Sequence, residues 1–314
     1  MIVHADPSIV SDNTGDVIIS HYAKNELRRM FPNDHIVSVP TQTMTISRRL
    51  NSLLSNARAI VVGGSNLLSG RYPRIRQWAN MSMFAPHREK VHLIGCGWHS
   101  YEKRNLPFNG VLLRSALGKN GLHSVRDAYT KSKLAANGIP SWNTGCPTMW
   151  GLSGEYPSKS EDSVGRIIFT LTHYRKNAAR DKALLSYVRS LGKEMYFWPQ
   201  SPQDTLYLRE LVGNDKVFRV IGETISSVEE IADGSAIYIG TRLHGAIHLL
   251  NRSVPVFVAA IDNRAIEIGR DTGLPLIDIR NLPVGFPTGA GTHIRMPQEE
   301  IAAWKKAVQE RIDG

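Results

Sequence analysis

Cysteine is nearly missing from this chain: Cys96 and Cys146 are the only two in 314 residues. Two cysteines so placed give no disulfide framework and match no metal-ligand spacing. A reducing compartment suits such a chain. Long apolar runs are missing too, and no segment approaches the ~20 apolar residues that span a bilayer. The opening MIVHADPSIVSDN has neither a basic start nor an apolar stretch, which argues against a secretory signal. A cytoplasmic protein is expected. Runs of five or more Lys/Arg, zinc-finger spacings and basic heptad helices are all absent, so nucleic-acid binding has only overall charge in its favour and is not expected. Internal repeats and low-complexity segments are absent as well.

What remains is the composition of an ordinary globular protein, 42% hydrophobic and 21% charged, which excludes disorder over most of the length. The length suits two cores better than one. With 38 Lys+Arg against 28 Asp+Glu the net charge is +10, spread along the chain. That excess favours anionic partners such as phosphate-bearing metabolites, acidic glycans or a membrane surface.

Short β-rich runs alternate with helical periods. IVSV (36–39), AIVV (59–62), VHLIG (91–95) and HSV (123–125) read as strands, and residues 44–56 place Ile46, Leu50, Leu53 and Leu54 on one helix face. A further helix is expected over 127–137. GLSGEYPSKSEDSVG (151–165) is rich in Gly, Ser and Pro and is expected to link two domains. Alternation resumes with RIIFTLT (166–172), EMYFW (194–198), VFRV (217–220), AIYIG (236–240), PVFVAA (255–260) and PLIDI (275–279), each separated from the next by a helical stretch. This implies βαβ units and mostly parallel sheets. Near the end, Ile301, Trp304, Val308 and Ile312 share one stripe of an amphipathic helix. The expected architecture is two Rossmann-like α/β domains facing a cleft, residues 1–152 and 165–296, with helix 297–312 docked back on the first domain.

In open parallel sheets ligands bind at the carboxyl ends of the strands, so the turns there are the places to inspect. SDNTGD (11–16) offers Asn13 and Asp16 before a helix, as a cap or as a polar rim facing the cleft. VVGGS (61–65) offers Gly63 and Gly64, as a tight turn or as a place where a ligand approaches the backbone. It lacks the Gly-Lys-Ser/Thr of a Walker loop. SVRD (124–127) places Arg126 at a strand end, either paired with Asp127 or aimed into the cleft as an anion clamp. GTRLHG (240–245) puts Arg242 and His244 where a strand gives way to a helix. An arginine for bidentate anion contact, an imidazole for proton exchange and a helix N-terminus there suit a small phosphorylated anion undergoing acid chemistry. Arg264, in IDNRAIEI (261–268), could add a second cation or be a solvated helix residue.

Together NTGD, VVGGS, HSVRDAYTKSKL, TGCPTMW (144–150), RLHGAIHLL and VPVFVAAIDNR resemble, in this order, the polysaccharide pyruvyl transferase family. The resemblance covers most of the chain. It implies a glycosyltransferase-B-like fold and transfer of the pyruvyl group of phosphoenolpyruvate onto sugar hydroxyls, usually as a ketal. It also implies that Arg242 and His244 hold phosphoenolpyruvate, with His244 as general acid, that Arg126 is a further anion contact, and that all of them meet in one cleft with Arg264. Relatives often carry Lys at the Arg264 position. An arginine there stays charged and suits a clamp rather than a proton carrier. TGCPTMW stands where many relatives read Asp-Pro-Ala. No cofactor or metal is expected beyond phosphoenolpyruvate as donor. The acceptor would be a sugar, and a lipid-linked one would bring the protein to the inner face of a membrane. The rival is a glycosyltransferase using a nucleotide sugar, with Glu267 as the acid near its ribose; a non-catalytic glycan- or anion-binding protein is a third reading.

Overall fold

Residues Ile2–Asp6, IVHAD, form strand β1, buried along its whole length. It stands outside the expected set, because two apolar residues followed by a histidine and an aspartate carry no strand pattern. The computed structural model describes every residue except 44–46, 73, 76, 103–105, 107, 157–158, 214, 216 and 288–291, together with the side chains of Tyr156 and Thr292. Ile46, expected on a helix face, lies outside the described residues. After β1 come α1 (Thr14–Met30), β2 (Ile36–Pro40), α2 (Arg48–Asn56), β3 (Ala59–Gly63), β4 (Val91–Ile94), α3 (Asn109–Leu117), β5 (Ser124–Val125), α4 (Ala128–Ala135) and β6 (Trp142–Asn143). The second half holds β7 (Gly154–Tyr156), β8 (Arg166–Thr170), α5 (Ala178–Ser190), β9 (Glu194–Phe197), α6 (Pro202–Val212), β10 (Phe218–Val220) and α7 (Ile225–Glu229). It continues with β11 (Ala236–Gly240), α8 (Leu243–Leu250), β12 (Val256–Ala259), α9 (Asn263–Thr272), β13 (Leu276–Ile277), β14 (Thr292–Ile294) and α10 (Gln298–Asp313).

The chain divides into two units. The first comprises Met1–Ser11, Ile19–Trp150 and Met296–Gly314; the second comprises Asp12–Ile18 and Gly151–Arg295. Residues 151–165, expected as a linker, therefore lie within the second unit. There β7 pairs antiparallel with β14, and Glu161–Ser163 form a 3₁₀ turn. The Gly- and Ser-rich composition marks short paired structure rather than a free tether. Asn13 and Asp16, expected in the first domain, also fall in the second unit.

The first unit is built on a parallel sheet of order β2-β1-β3-β4. Val3, Ile60, Val62 and Leu93 enter one apolar cluster on this sheet. Ile2, Val61 and Ile94 enter another, which is closed by Ile301, Trp304 and Val308 of α10. The Trp304 and Trp150 rings lie 5.7 Å apart, and the Trp150 indole donates to the Thr144 carbonyl at 2.8 Å. TGCPTMW is thus a buried turn of this unit. Cys96 and Cys146 are free and buried, and burial pushes the Cys96 thiol up to about 12, which leaves it inert.

The second unit carries six parallel strands in the order β10-β9-β8-β11-β12-β13. Counted from β8, this is 3-2-1-4-5-6, the doubly wound order of a Rossmann sheet. Strands such as AIYIG read as continuous apolar runs because both faces are covered. The Phe169 ring on β8 lies 5.1 Å from that of Phe197 on β9 and 5.1 Å from that of Phe218 on β10, tilted against both. Among the described residues no helix is long and apolar enough to cross a membrane.

Three histidines, His4, His92 and His123, are buried in the first unit, and burial holds each near a pKa of about 4. The unfolded chain takes up these protons near pH 6.5, whereas the folded chain refuses them until about pH 4. Unfolding therefore takes up protons throughout that window, and stability falls as pH drops from 6.5 towards 4. Each histidine contributes up to about 1.4 kcal/mol per pH unit. Thermal unfolding followed from pH 7.5 to 4.5 should show a flat Tm above pH 6.5 and a steep fall below it; a Tm unchanged down to pH 4.5 would contradict this account.

Candidate active site

The order of the second sheet reverses between β8 and β11, and the carboxyl ends of these two strands frame a crevice. Thr170 closes β8, and Gly240 closes β11 beside it. A Cβ on Gly240 would stand 2.4 Å from the Thr170 hydroxyl, so only glycine lets the two strand ends meet. The Arg242 N–H donates to Thr170 Oγ1 at 3.0 Å and to the Tyr238 hydroxyl at 3.2 Å, and that hydroxyl donates to the Arg242 carbonyl at 2.9 Å. Burial raises the Tyr238 pKa, so it remains a neutral donor. The strand-to-helix turn is thereby pinned, with Arg242 as the residue that caps α8.

Arg242 is buried and bound on every side. Its Nε and Nη2 reach Asp204 Oδ2 at 3.0 and 2.5 Å, Nη2 also reaches Ser201 Oγ at 3.3 Å, and Nη1 donates to Asn13 Oδ1 at 3.1 Å. Asp204 lies in the first turn of α6, where the helix N-terminus favours an anion. Its other oxygen, Oδ1, lies 3.0 Å from both the backbone nitrogen and the ring Nδ1 of His173. Asn13 also accepts from the Gly15 N–H at 3.1 Å, so its side chain caps the first turn of α1 and holds Arg242 at once. Both readings of that turn apply to Asn13. Asp16 receives the Asn13 amide at 3.3 Å and serves the turn itself.

Arg264 is held by Asp262, the residue capping α9, through Nε at 2.9 Å and through Nη2, and it donates to the Tyr174 hydroxyl at 2.8 Å. Burial works against its charge, but Tyr174 and Asp262 outweigh burial and raise the pKa further. The Tyr174 ring has the Arg242 guanidinium 4.9 Å from its centroid and that of Arg264 at 5.8 Å, both cation–π distances. Asn13, Tyr174, Gln200, Arg242, His244 and Arg264 line one recess of about 350 Å³, counting its open mouth. His244 enters it from the first turn of α8, a helix that begins with no side-chain cap. Gln200 Nε2 is buried and has no hydrogen-bond partner among the described residues. Two guanidiniums, an imidazole, a spare amide donor and a helix N-terminus can hold a small polyanion and hand it a proton.

The expected site residues thus divide. Asn13, Arg242, His244 and Arg264 share this recess, whereas Gly63, Gly64 and Arg126 belong to the first unit. Gly63 and Gly64 answer to the chain's own packing. A Cβ on Gly63 would lie 2.2 Å from His4 Nε2; one on Gly64, whose φ is +56°, would lie 1.9 Å from Ile19 Cγ2. The Gly pair leads into a run of bends, not a helix. Arg126 is buried with Nε on Asp127 Oδ2 at 3.2 Å and Nη2 on Asn66, and its guanidinium lies flat against Gly97. Its Nη1 has no partner among the described residues. Asp127 shares itself between Arg126 and the N-terminus of α4, where it accepts from the Thr130 N–H at 2.7 Å. Glu267, the acid assigned to a ribose in the rival reading, is buried, paired with Arg270 and outside the recess lining. Among the described residues no group of three or more His, Cys, Asp or Glu could hold a metal.

His173, Tyr174, Gln200 and Asp204 went unread in the sequence. The signal was there in part: THYR follows a strand end, as TRLH does, and the aspartate in SPQD falls in the first turn of a helix.

The profile of the family described as polysaccharide pyruvyl transferase matches residues 13–248. No curated protein sequence matches the chain. Solved structures that are similar to it include MnaA of S. aureus with UDP, at 13% identity and a TM-score of 0.49 over 100% of this chain and 87% of that one. A UDP-N-acetylglucosamine 2-epimerase of Listeria monocytogenes, described as putative, is similar at 11% identity and 0.49 over the same shares. The E. coli heptosyltransferase WaaC is similar at 11% identity and 0.35 over 82% of this chain and 88% of that one.

Removing one partner of a buried ion pair strands the other, at about 3–5 kcal/mol, whereas exposed pairs contribute roughly 0–1 kcal/mol. Asp204→Ala should therefore lower unfolding stability by several kcal/mol, and Glu210→Ala, which breaks the exposed pair with Lys176, should change it by less than about 1 kcal/mol. Chemical denaturation of both variants checks the contrast. Gly64→Ala, forced against Ile19 at positive φ, should cost about 1–3 kcal/mol in the same assay.

Proposed function

Because the chain belongs to the polysaccharide pyruvyl transferase family, matched over residues 13–248, we propose that it transfers the pyruvyl group of phosphoenolpyruvate to hydroxyls of a polysaccharide or its precursor, forming a pyruvate ketal and releasing phosphate. The observation that carries this reading is the joint presence of Arg242, Arg264 and His244 in one recess at the switch point of a Rossmann sheet.

Phosphoenolpyruvate bears a carboxylate and a phosphate. Each arginine already has a carboxylate partner, so their charges are largely cancelled at a distance. What they offer a ligand is directed hydrogen bonding at close range, with geometry fixed beforehand by Asp204 and Asp262. That suits a compact anion seated deep in the recess. His244 gives a proton to the methylene carbon, C2 becomes electrophilic, and a sugar hydroxyl attacks it. Phosphate leaves with its charge met by the arginines and the start of α8. The arginine at 264 keeps its charge throughout and acts as a clamp. The nucleotide-sugar reading has less support, since Glu267 is occupied by Arg270 away from the recess. The acceptor sugar, and any lipid that carries it, is a matter for an acceptor screen.

A thermal-shift titration tests the donor. At a hundredfold excess over Kd, phosphoenolpyruvate should stabilise the protein by about 2.7 kcal/mol. His244→Gln should keep most of that shift and lose turnover, and Arg264→Gln should lose most of the shift. A shift produced by UDP-sugars and not by phosphoenolpyruvate would replace this reading with a glycosyltransferase.

A further inference from the structure

Resting on that reading, we propose that His173 is the base that takes the proton from the attacking sugar hydroxyl, with Asp204 as its positioning residue. The two histidines flank the same switch point. His173 follows β8 in a 3₁₀ turn, His173–Arg175, and His244 opens the helix after β11, the strand hydrogen-bonded to β8. Asp204 Oδ1 sits 3.0 Å from His173 Nδ1 and 3.0 Å from its backbone nitrogen, so one oxygen fixes both ring and main chain. Ser201 Oγ, 3.1 Å from Nδ1, steadies the same edge. A carboxylate against Nδ1 selects the tautomer with its proton there and leaves Nε2 with a free lone pair. Nε2 has no hydrogen-bond partner among the described residues, and the side chain is 26% exposed. By contrast, Arg242 and His244 are buried. Asp204 binds Arg242 with its other oxygen, and Tyr174, next in sequence and itself exposed, sets its ring edge-on to His173 at 5.4 Å while lining the recess.

In this assignment the acid lies inside the recess and the base stands beside it, next in sequence to the lining residue Tyr174. A sugar is too large to follow phosphoenolpyruvate into the recess, so its hydroxyl meets C2 from the mouth. His244 gives its proton to C3 as the hydroxyl oxygen bonds to C2, and His173 Nε2 takes the hydroxyl proton. The C2–O bond to phosphate then breaks, a second hydroxyl of the same sugar closes the ketal, and its proton leaves with the phosphate. His173 returns its proton to solvent and His244 takes one up. The acid must start charged and the base neutral.

Phosphate release from phosphoenolpyruvate, with a panel of methyl hexopyranosides carrying free hydroxyl pairs as acceptor probes, tests the step in His173→Gly and His173→Gln. General-base catalysis accounts for roughly 10²–10⁴-fold, so both variants should lose at least a hundredfold in kcat. The KM for phosphoenolpyruvate and the thermal shift it produces should stay unchanged. Added imidazole should restore part of the rate in His173→Gly, and more basic imidazoles should restore more. Wild-type turnover in the variants, loss of the phosphoenolpyruvate shift together with the rate, or absence of rescue overturns the base assignment alone. Wild-type protein that releases no phosphate with any glycoside overturns pyruvyl transfer, and the base step with it.

Discussion

The second unit is organised around one buried ion pair, Arg242 with Asp204. Taking both charges out of water costs several kcal/mol per ion before any attraction is counted. Few arrangements recover that cost, and this one does so through extra hydrogen bonds: Asp204 also receives the Gln200 N–H and the His173 N–H, and Arg242 also reaches Ser201 and Asn13. What the pair gives in return is placement. The start of α6, the turn after β8, the turn after β11 and the Asn13 turn are all tied to these two side chains, and each of them contributes to the recess or its rim.

The sheet supplies the frame that makes such a pair possible. A 3-2-1-4-5-6 order sends the chain out on opposite sides of the sheet after β8 and β11, so the two turns diverge and leave a crevice between them. Thr170, Tyr238 and Gly240 fix the strand ends through hydroxyl hydrogen bonds and close backbone approach. The recess then rests on strand ends rather than on a free loop, which is where sub-ångström placement can be maintained. The same logic explains Tyr174: an aromatic face with a guanidinium on it at two places keeps both arginines apart without opposing their charge.

The first unit follows a simpler rule. Its buried histidines, its glycine pair and its TGCPTMW turn are occupied with packing. Arg126 is buried there with one guanidinium nitrogen unpartnered among the described residues, as are ring nitrogens of His4 and His123. Sequence motifs that look alike as strand-end turns therefore hold different meanings. Gly63-Gly64 makes room for His4 and Ile19, while Arg242, Leu243 and His244 line the recess.

By itself the sequence determined the alternation of strand and helix, the parallel sheets, the stripe of α10 and the turn holding Arg242 and His244, because apolar periodicity and strand-end position are local properties. It also carried the family through an ordered set of short motifs. Only the tertiary structure decided what those side chains meet. β1 escaped notice because its burial comes from neighbours distant in sequence. His173 and Asp204, 31 residues apart, meet only when the turn after β8 packs on α6, and Asn13 joins Arg242 across 229 residues. Hydrogen bonds and burial between such residues are set by strand order, and strand order is a property of the whole sheet rather than of any stretch within it.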